Sequence, residues 1–147
     1  MARWLVKSEP FKYSWDRMVA DGVTHWDGVR NHQAANNLKA MSPGDRAFFY
    51  HSNEGLEIVG VVEVAREYYP DPSDEAGRFG MVDVKPVKPV VTPVTLKQMK
   101  ADPVLADMAL IRQSRLSVCP VSDRQWDHIC RLAGIAESVD DRMALPA

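Results

Sequence analysis

The segment from Trp26 to Asn37 holds the densest run of side chains that could recognise a nucleic-acid base. Arginine and asparagine side chains can form paired hydrogen bonds with base edges, and an indole offers a flat face on which a base can stack. The residue types therefore favour base recognition, with Trp26, Arg30 and Asn31 as candidates. The alternative is structural, because Asn31 can cap a following helix and Trp26 can belong to the core.

A second polar group, Lys7, Ser8 and Glu9, brings a cation, a hydroxyl and a carboxylate together just before Pro10. Proline has no backbone donor and favours an extended conformation in the residue before it, so a strand is expected to end here. The three side chains would then project from a loop and could contact a ligand. The alternative is that they are solvated and form a turn.

A third polar group is His51, Ser52 and Asn53, which follows an apolar run of three aromatic residues. This order places three polar side chains at the end of a buried strand, where they could contact a ligand. The alternative is an ordinary hairpin turn, because serine and asparagine favour turn geometry.

Turn, capping and periodicity signals divide the chain into the elements that must position these groups. The predicted strands are 3–7, 46–51, 56–69, 78–88 and 116–121. The predicted helices are capped by Ser14, Asn31, Thr95 and Ser122. Strands joined mostly by short turns, with helices between some of them, predict an α+β fold with a mainly antiparallel curved sheet or small barrel flanked by helices.

The length and composition predict one domain. The chain has 147 residues, of which 46% are hydrophobic and 26% are charged, which suits a single core of ordinary size. Its prolines and glycines are scattered, so no linker divides the chain. We expect a continuous domain over residues 1–134 and a frayed tail over residues 135–147.

The charge balance limits how the chain could bind nucleic acid. The formal net charge is −2 and the pI is about 6.1. No overall positive field of the kind that sustains non-specific DNA binding is therefore present, and any nucleic-acid contact must be local. The sequence has no signal-peptide pattern and no apolar run of about 20 residues, which predicts a cytoplasmic location and no membrane partner.

An enzyme acting on a nucleotide is an alternative, with Glu9, Asp27 or His51 as acid or base. The sequence contains no P-loop, nucleophile elbow or dinucleotide fingerprint, and Cys119 precedes proline without the second cysteine that a zinc deaminase needs. Histidines on separate segments are more often hydrogen-bonded loop residues than metal ligands. We therefore predict no catalysis, no cofactor, no metal and no disulfide.

Several segments taken together resemble the EVE domain, a family of the PUA-like superfamily. They occur in order over about nine tenths of the chain, and together they are far more specific than any one of them. The segments are Trp4 to Pro10, Trp26 to Asn31, Gly44-Asp45 with Phe49 to Asn53, Ile58 to Gly60, Tyr69 to Asp71, and Arg115 to Val118 with Pro120-Val121.

The resemblance implies a PUA-like β-barrel with surrounding helices, and a pocket like the one in which the related YTH readers hold a flipped, modified base. Trp26 would form one wall of that pocket. The residues that the resemblance implies beside the base are Lys7, Ser8, Glu9, Arg30, Asn31, His51, Ser52 and Asn53. We also name Lys7, Arg112 and Arg115 as candidates for contacts with backbone phosphates.

The chain departs from the family pattern after its Arg-Asn pair. The pattern often has an aromatic residue next and an arginine three residues later, whereas this chain has His32 and Ala35. The resemblance otherwise implies a non-catalytic reader of a methylated or hydroxymethylated base in DNA or RNA. The remaining alternative is a module that binds a free nucleoside or a protein, which the acidic pI favours mildly.

Overall fold

The computed structural model describes residues 2–137, and this range forms six strands and five helices. The strands are β1 (Arg3–Ser8), β2 (Thr24–Trp26), β3 (Arg46–His51), β4 (Glu57–Pro70), β5 (Gly80–Thr95) and β6 (Val118–Val121). The helices are α1 (Trp15–Asp21), α2 (His32–Ala40), α3 (Leu96–Ala101), α4 (Ala109–Arg112) and α5 (Asp123–Ala133).

All six strands form one mixed sheet in the order β2-β5-β4-β3-β1-β6. Strands β1 and β3 are parallel, with Leu5 opposite Phe48, and the other neighbouring pairs are antiparallel. Within residues 2–137 no ladder joins β2 to β6, so backbone pairing does not close the sheet into a barrel. The α+β, PUA-like fold class predicted from the sequence is confirmed.

Successive side chains of a strand point to opposite faces of the sheet. Both faces of strand β3 are covered by other elements of the fold, so its central residues are buried on either side. On one face the Phe48 ring stacks on Trp126 of α5, with centroids 3.9 Å apart. On the other face the Phe49 ring meets the edges of Trp15 and Trp26, at 5.5 and 5.7 Å. The alternative that Trp26 is a core residue is therefore correct, and its strand β2 is anchored on β3.

Helix α1 lies against the sheet through Trp15, whose ring occupies the space above Gly60 of β4. A Cβ atom on Gly60 would be 2.5 Å from two of the indole carbons, which leaves no room for any other residue. Val19, the residue after Met18, is 52% exposed. The short helix has room for only Trp15 and Met18 against the sheet.

The four predicted helix caps are all present. Side-chain oxygens of Ser14, Asn31, Thr95 and Ser122 each accept a hydrogen bond from the backbone N–H three residues later, at 2.9 to 3.2 Å. The predicted bounds of β3 are also confirmed. The three-residue strand β2 and the four-residue helix α4 were not predicted, because elements this short contain too few residues to show a period.

Strand β5 is longer than predicted, because it continues past Lys88 to Thr95 despite its prolines. Pro86 lies opposite Val62 and Pro89 opposite Gly60, and the register with β4 shifts beside both pairs. A proline can remain in a strand at such an irregularity, where its missing donor breaks no regular ladder bond.

The chain after α5 does not fray at once, contrary to the expectation for residue 135 onward. Glu137 is buried, its carboxylate contacts Arg46 and Lys88 at 2.8 and 3.2 Å, and its backbone oxygen accepts a hydrogen bond from the Trp126 indole. The predicted tail otherwise falls on residues 138–147, which lie outside the described range. Over residues 2–137, none of the helices has the length and apolar character needed to cross a bilayer.

Candidate functional site

A cavity of about 660 Å³ opens beside the end of β1. Two of the three predicted polar groups meet across it: Lys7, Ser8 and Glu9 from one side, and the segment from Trp26 to Asn31 from the other. The volume lies within the roughly 300–1,000 Å³ that is typical of small-molecule sites. Residues 17 to 24 positions apart in the sequence therefore form one concave surface.

The two groups meet because both adjoin the second half of β3. Strand β1 runs parallel to β3 with Lys7 opposite Tyr50, and the Trp26 ring contacts Phe49. The neighbouring residues Phe49 and Tyr50 do not line the cavity, but they hold its two walls next to each other.

Trp26 is only 9% exposed, so a narrow part of its indole reaches the cavity. Its ring is held edge-on by Phe49 and by Tyr13, whose centroid lies 6.5 Å away. Tyr13 also lines the cavity, and its hydroxyl donates to Asp21 at 2.9 Å. Tyr13 was not among the predicted site residues, although an aromatic residue between Pro10 and the cap Ser14 was a usable signal.

Lys7 is a half-buried cation that lines the cavity. Its ammonium donates to the backbone oxygen of Ser114 at 2.9 Å, and no carboxylate in residues 2–137 forms an ion pair with it. Burial lowers the pKa of Lys7 from its ordinary value. An ammonium has three donors, so further donors can face a ligand.

Ser8 and Glu9 begin a turn that is fixed by several contacts. The Ser8 hydroxyl donates to the backbone oxygen of Tyr13 at 2.5 Å, and the Glu9 backbone oxygen accepts from the N–H groups of Lys12 and Tyr13, both at 2.9 Å. The Glu9 carboxylate accepts from the Asn53 amide at 2.7 Å. The Ser8 oxygen can still accept a hydrogen bond from a ligand.

His51, Ser52 and Asn53 do not line this cavity; they support its walls. The Nε2 atom of His51 accepts the backbone N–H of Trp15 at 3.1 Å, at the start of α1, and burial lowers the pKa of His51. The Ser52 N–H donates to the Ser8 backbone oxygen at 2.9 Å. These three residues thus contact the elements that form the walls, and their role as base contacts stays a prediction.

Arg30 lines the cavity, but its guanidinium is committed to a buried carboxylate. It donates to Asp71 at 3.2 Å and to the Ser73 hydroxyl at 2.9 Å, and its charge lies 5.6 Å from the Phe79 ring centre. Asp71 has no exposed side-chain surface. Arg30 therefore ties the cavity wall to the loop between β4 and β5.

The Asp71 carboxylate is ionised in spite of its burial. Burial acts to raise its pKa, but hydrogen bonds from Ser73, from the Gly28 backbone and from Arg30 outweigh this and hold the pKa of Asp71 well below its ordinary range. Gly28 has a φ of +76°, a conformation that strongly favours glycine. The Trp26 to Asn31 segment is thus held in one shape by its glycine and by Asp71.

Asn31 has both the structural role and the position expected of a ligand contact. Its Oδ1 accepts the Ala34 N–H at 2.9 Å and begins α2, as the structural alternative predicted. The residue also lines the cavity, and its Nδ2 group is not used by the cap. His32 and Ala35, where the chain departs from the family pattern, lie against the Phe79 ring and in the core, respectively.

A second hollow of about 370 Å³ adjoins the first through Asn31. It is lined also by Gln33 and by residues 112–116, among them the predicted phosphate contacts Arg112 and Arg115. Both arginines are exposed, and neither forms an ion pair with a residue of the range 2–137. Their cations are free to contact an anion outside the cavity.

Two of the three candidate acids and bases, Glu9 and Asp27, line the cavity, whereas His51 does not. Three histidines on separate segments have separate partners, since His25 contacts Asp83 at 2.8 Å, His32 contacts Phe79, and His51 accepts the Trp15 backbone N–H at the start of α1. In the described part of the chain, no three His, Cys, Asp or Glu side chains are grouped to hold a metal ion.

Both cysteines are buried and unsuited to chemistry at neutral pH. Burial raises the pKa of Cys119 to about 11 and that of Cys130 to about 12. The thiolate is the reactive and metal-binding form, so these thiols act as small apolar groups of the core.

Comparisons with known proteins find similar sequences and structures over most of the chain. A family model described as EVE domain matches residues 2–132. Thymocyte nuclear protein 1 (THYN1) of Homo sapiens is 33% identical over 165 residues, which cover 89% of this chain and 73% of that protein. An NMR structure of a protein from Rhodopseudomonas palustris is 57% identical, with a TM-score of 0.87, and the match covers 91% of this chain and 94% of the other.

A crystal structure of human THYN1 in complex with DNA that contains 5-methylcytosine is also similar. It is 33% identical with a TM-score of 0.84, and the match covers 90% of this chain and 98% of that one. The similarity therefore extends over nearly the whole described range, including both walls of the cavity.

Proposed function

The chain belongs to the EVE domain family, and on this premise we propose that it is a non-catalytic nucleic-acid-binding module that takes a modified base of DNA into the 660 Å³ cavity. The observation that carries the proposal is the meeting of Lys7-Ser8-Glu9 with the Trp26 to Asn31 segment across one opening. Hydrogen-bond donors, acceptors and an aromatic wall then surround a single space, as base recognition requires.

The proposed binding mode is a base flipped out of its stack. Trp26 offers a strip of indole and Tyr13 a second ring at the wall, while the Lys7 ammonium, the Ser8 oxygen and the Asn31 Nδ2 group face the base edge. Flipping costs a few kcal/mol, least for a base that is single-stranded or mismatched. Affinity should therefore be highest where the base is already unpaired.

The preference for a methylated base over the unmodified base should be modest if burial of the methyl group is its only source. One buried methyl or methylene group contributes about 0.8 kcal/mol, which corresponds to about fourfold in affinity. A larger preference would require a polar contact or a shape that excludes the unmodified base. The complex of human THYN1 with DNA containing 5-methylcytosine makes methylated cytosine the first ligand to test.

We assign the second hollow as the binding site for the backbone phosphate that adjoins the flipped base. Arg112 and Arg115 border it, and Lys7 connects the two spaces through its hydrogen bond to Ser114. A free guanidinium pairs well with a phosphate. The unpaired state of both arginines supports this assignment and supplies the local positive charge that the overall charge of −2 does not.

The test is fluorescence anisotropy with end-labelled single-stranded and duplex oligonucleotides. The central base is cytosine, 5-methylcytosine, 5-hydroxymethylcytosine, adenine or N6-methyladenine, in DNA and in RNA. Trp26→Phe and Ser8→Ala should weaken binding to the preferred base. Trp126→Phe is the matched control, because Trp126 lies on the opposite face of the sheet and is stacked on Phe48. Absence of saturable binding at low salt would overturn the proposal.

A free nucleoside is the second candidate ligand, favoured by the balanced charge of the cavity. Four Lys or Arg residues and three Asp or Glu residues line it, so its field attracts a polyanion only weakly. Binding of an oligonucleotide should weaken steeply with salt because counterions are released, whereas binding of a neutral nucleoside should not. Tight, salt-independent binding of the nucleoside alone would favour this alternative.

A further inference from the structure

Phe11 is the most exposed aromatic side chain among the large hydrophobic residues described, with 69% of its surface in contact with solvent. It lies in the turn of residues 9–13, which joins β1 to α1. An exposed phenylalanine gains nothing from burial within its own chain. Packing within the core therefore does not explain why a phenylalanine stands at this position.

The turn that carries Phe11 is rigid. Backbone N–H groups of Lys12 and Tyr13 donate to Glu9, and the Ser8 hydroxyl donates to Tyr13. The Glu9 carboxylate also contacts the Lys12 ammonium at 3.3 Å. Phe11 is thus presented to solvent by a backbone that is fixed on both sides of it.

The same turn forms the rim of the 660 Å³ cavity. Glu9 precedes Phe11, and Lys12 and Tyr13 follow it; all three line the cavity, whereas Phe11 stands outside it. A base that enters the cavity would therefore leave the DNA helix at a point close to the Phe11 ring. The Lys12 ammonium lies 5.9 Å from the Phe11 ring centre and is exposed, so a cation accompanies the ring.

We propose that Phe11 is a wedge that enters the base stack of duplex DNA when a base moves into the cavity. This inference rests on the proposed function and deepens it, because it specifies how a duplex would be opened. A flipped base leaves a gap between its neighbours, and apolar side chains such as phenylalanine are used by proteins to fill and separate base steps.

The wedge distinguishes duplex from single-stranded DNA. In a duplex, Phe11 would replace stacking that the flipped base has lost, whereas in a single strand there is little stacking to replace. Replacing an aromatic ring that stacks on a base weakens binding by roughly tenfold. Phe11→Ala should therefore weaken duplex binding about tenfold and single-strand binding less than about twofold.

The experiment measures dissociation constants by anisotropy for three DNA probes with one central 5-methylcytosine. The probes are a paired duplex, the same duplex with a mismatch opposite the 5-methylcytosine, and the single strand. The proteins are wild type, Phe11→Ala, Phe11→Trp and Val91→Ala. Val91 is the control because it is 76% exposed and does not line the cavity.

The expected result is a loss for Phe11→Ala that is largest on the paired duplex, smaller on the mismatch and least on the single strand, with Phe11→Trp close to wild type. Equal losses on all three probes, or none, would overturn the wedge while the proposed function stands. If wild type binds none of the modified probes, the proposed function itself fails. Thermal unfolding of each variant checks that the fold is unchanged.

Discussion

The backbone N–H of Gly28 donates to the carboxylate of Asp71 at 2.9 Å and so joins segments that are 43 residues apart. Asp71 also accepts from Arg30 and Ser73. A single buried carboxylate therefore fixes the wall that contains Trp26 and leaves little of the Arg30 guanidinium for a ligand. The shape of the candidate site depends on a residue that does not line it.

Asp71→Ala should lower the free energy of unfolding by about 1–3 kcal/mol, because it leaves buried donors without an acceptor. It should also weaken binding of a modified oligonucleotide several-fold, because the Trp26 to Asn31 segment loses its anchor. Urea unfolding and anisotropy measure the two effects. Asp74→Ala is the matched control: Asp74 accepts hydrogen bonds within the same loop but none from the cavity wall. An equal loss of affinity in both variants would contradict this role.

Local signals in the sequence predicted one part of the site well. The break at Pro10 and the cap at Asn31 locate both walls of the cavity, because strand ends and helix starts depend on neighbouring residues. The role of Asn31 as a cap and of Trp26 in the core followed from the same reasoning. These features needed no knowledge of the fold.

Some features of the site could not be predicted because they depend on residues that are distant in the sequence. The carboxylate that binds Arg30 comes from Asp71, 41 residues away, so a free arginine and a paired one look alike in the sequence. Similarly, His51 is the last residue of β3, and its Nε2 atom accepts the backbone N–H of Trp15, 36 residues away. The direction of the His51 side chain therefore depends on its contact with α1, and no periodic pattern in the sequence indicates that contact.

His51 should make the stability depend on pH. Its Nε2 accepts the Trp15 N–H, which only an unprotonated nitrogen can do, and burial lowers the pKa of His51 from about 6.5. Below that value the unfolded chain binds a proton that the folded chain resists. The stability that His51 contributes is therefore complete above about pH 6.5 and is lost as the pH falls through the lowered pKa.

His51→Gln should flatten the decline in unfolding free energy between about pH 7 and about pH 5, because an amide oxygen can accept the same N–H without titrating. Urea unfolding at several pH values measures the slope. His32→Gln replaces a histidine that does not touch α1 and serves as the control. If wild type and His51→Gln decline equally, the hydrogen bond to Trp15 has no part in the pH dependence.

Asn53 should support Glu9 and make no contact with the base. It has a φ of +65°, and its amide donates to Glu9 at 2.7 Å. Asn53→Gly keeps the backbone conformation and removes the amide, whereas Asn53→Ala also adds about 1 kcal/mol of strain. Thermal unfolding should therefore rank alanine below glycine.

Neither change at Asn53 should weaken single-strand binding more than about twofold, a difference well under 1 kcal/mol. Anisotropy with the modified single strand tests this. A tenfold loss in Asn53→Gly would instead indicate that the amide reaches the base, as the family resemblance implied.

Gly60→Ala should destabilise the fold by about 1–3 kcal/mol, because the new methyl group would overlap the Trp15 ring. A double-mutant cycle with Trp15→Leu isolates this contact, since a smaller side chain makes room for the methyl group. The double variant should lose less stability in urea than the two single losses combined. Strict additivity would show that the ring and Gly60 do not determine where α1 lies.

Arg112 and Arg115 should determine the salt dependence of DNA binding. Both are exposed, border the hollow beside the cavity and have no ion-pair partner in the described part of the chain. Each phosphate neutralised on a single strand changes the slope of log K against log salt by about 0.7. Arg112→Gln and Arg115→Gln should each make that slope shallower by about this amount and leave the preference among bases unchanged.

The control for the two arginines is Lys97→Gln, which removes a cation that borders a separate hollow beside α3. Because a charge far from the bound strand releases no counterion from it, this variant should keep the wild-type slope. Titrations at a series of salt concentrations supply the four slopes, those of wild type and of the three variants. Wild-type slopes in both arginine variants would exclude them as phosphate contacts, and a changed base preference would place them beside the base instead of the backbone.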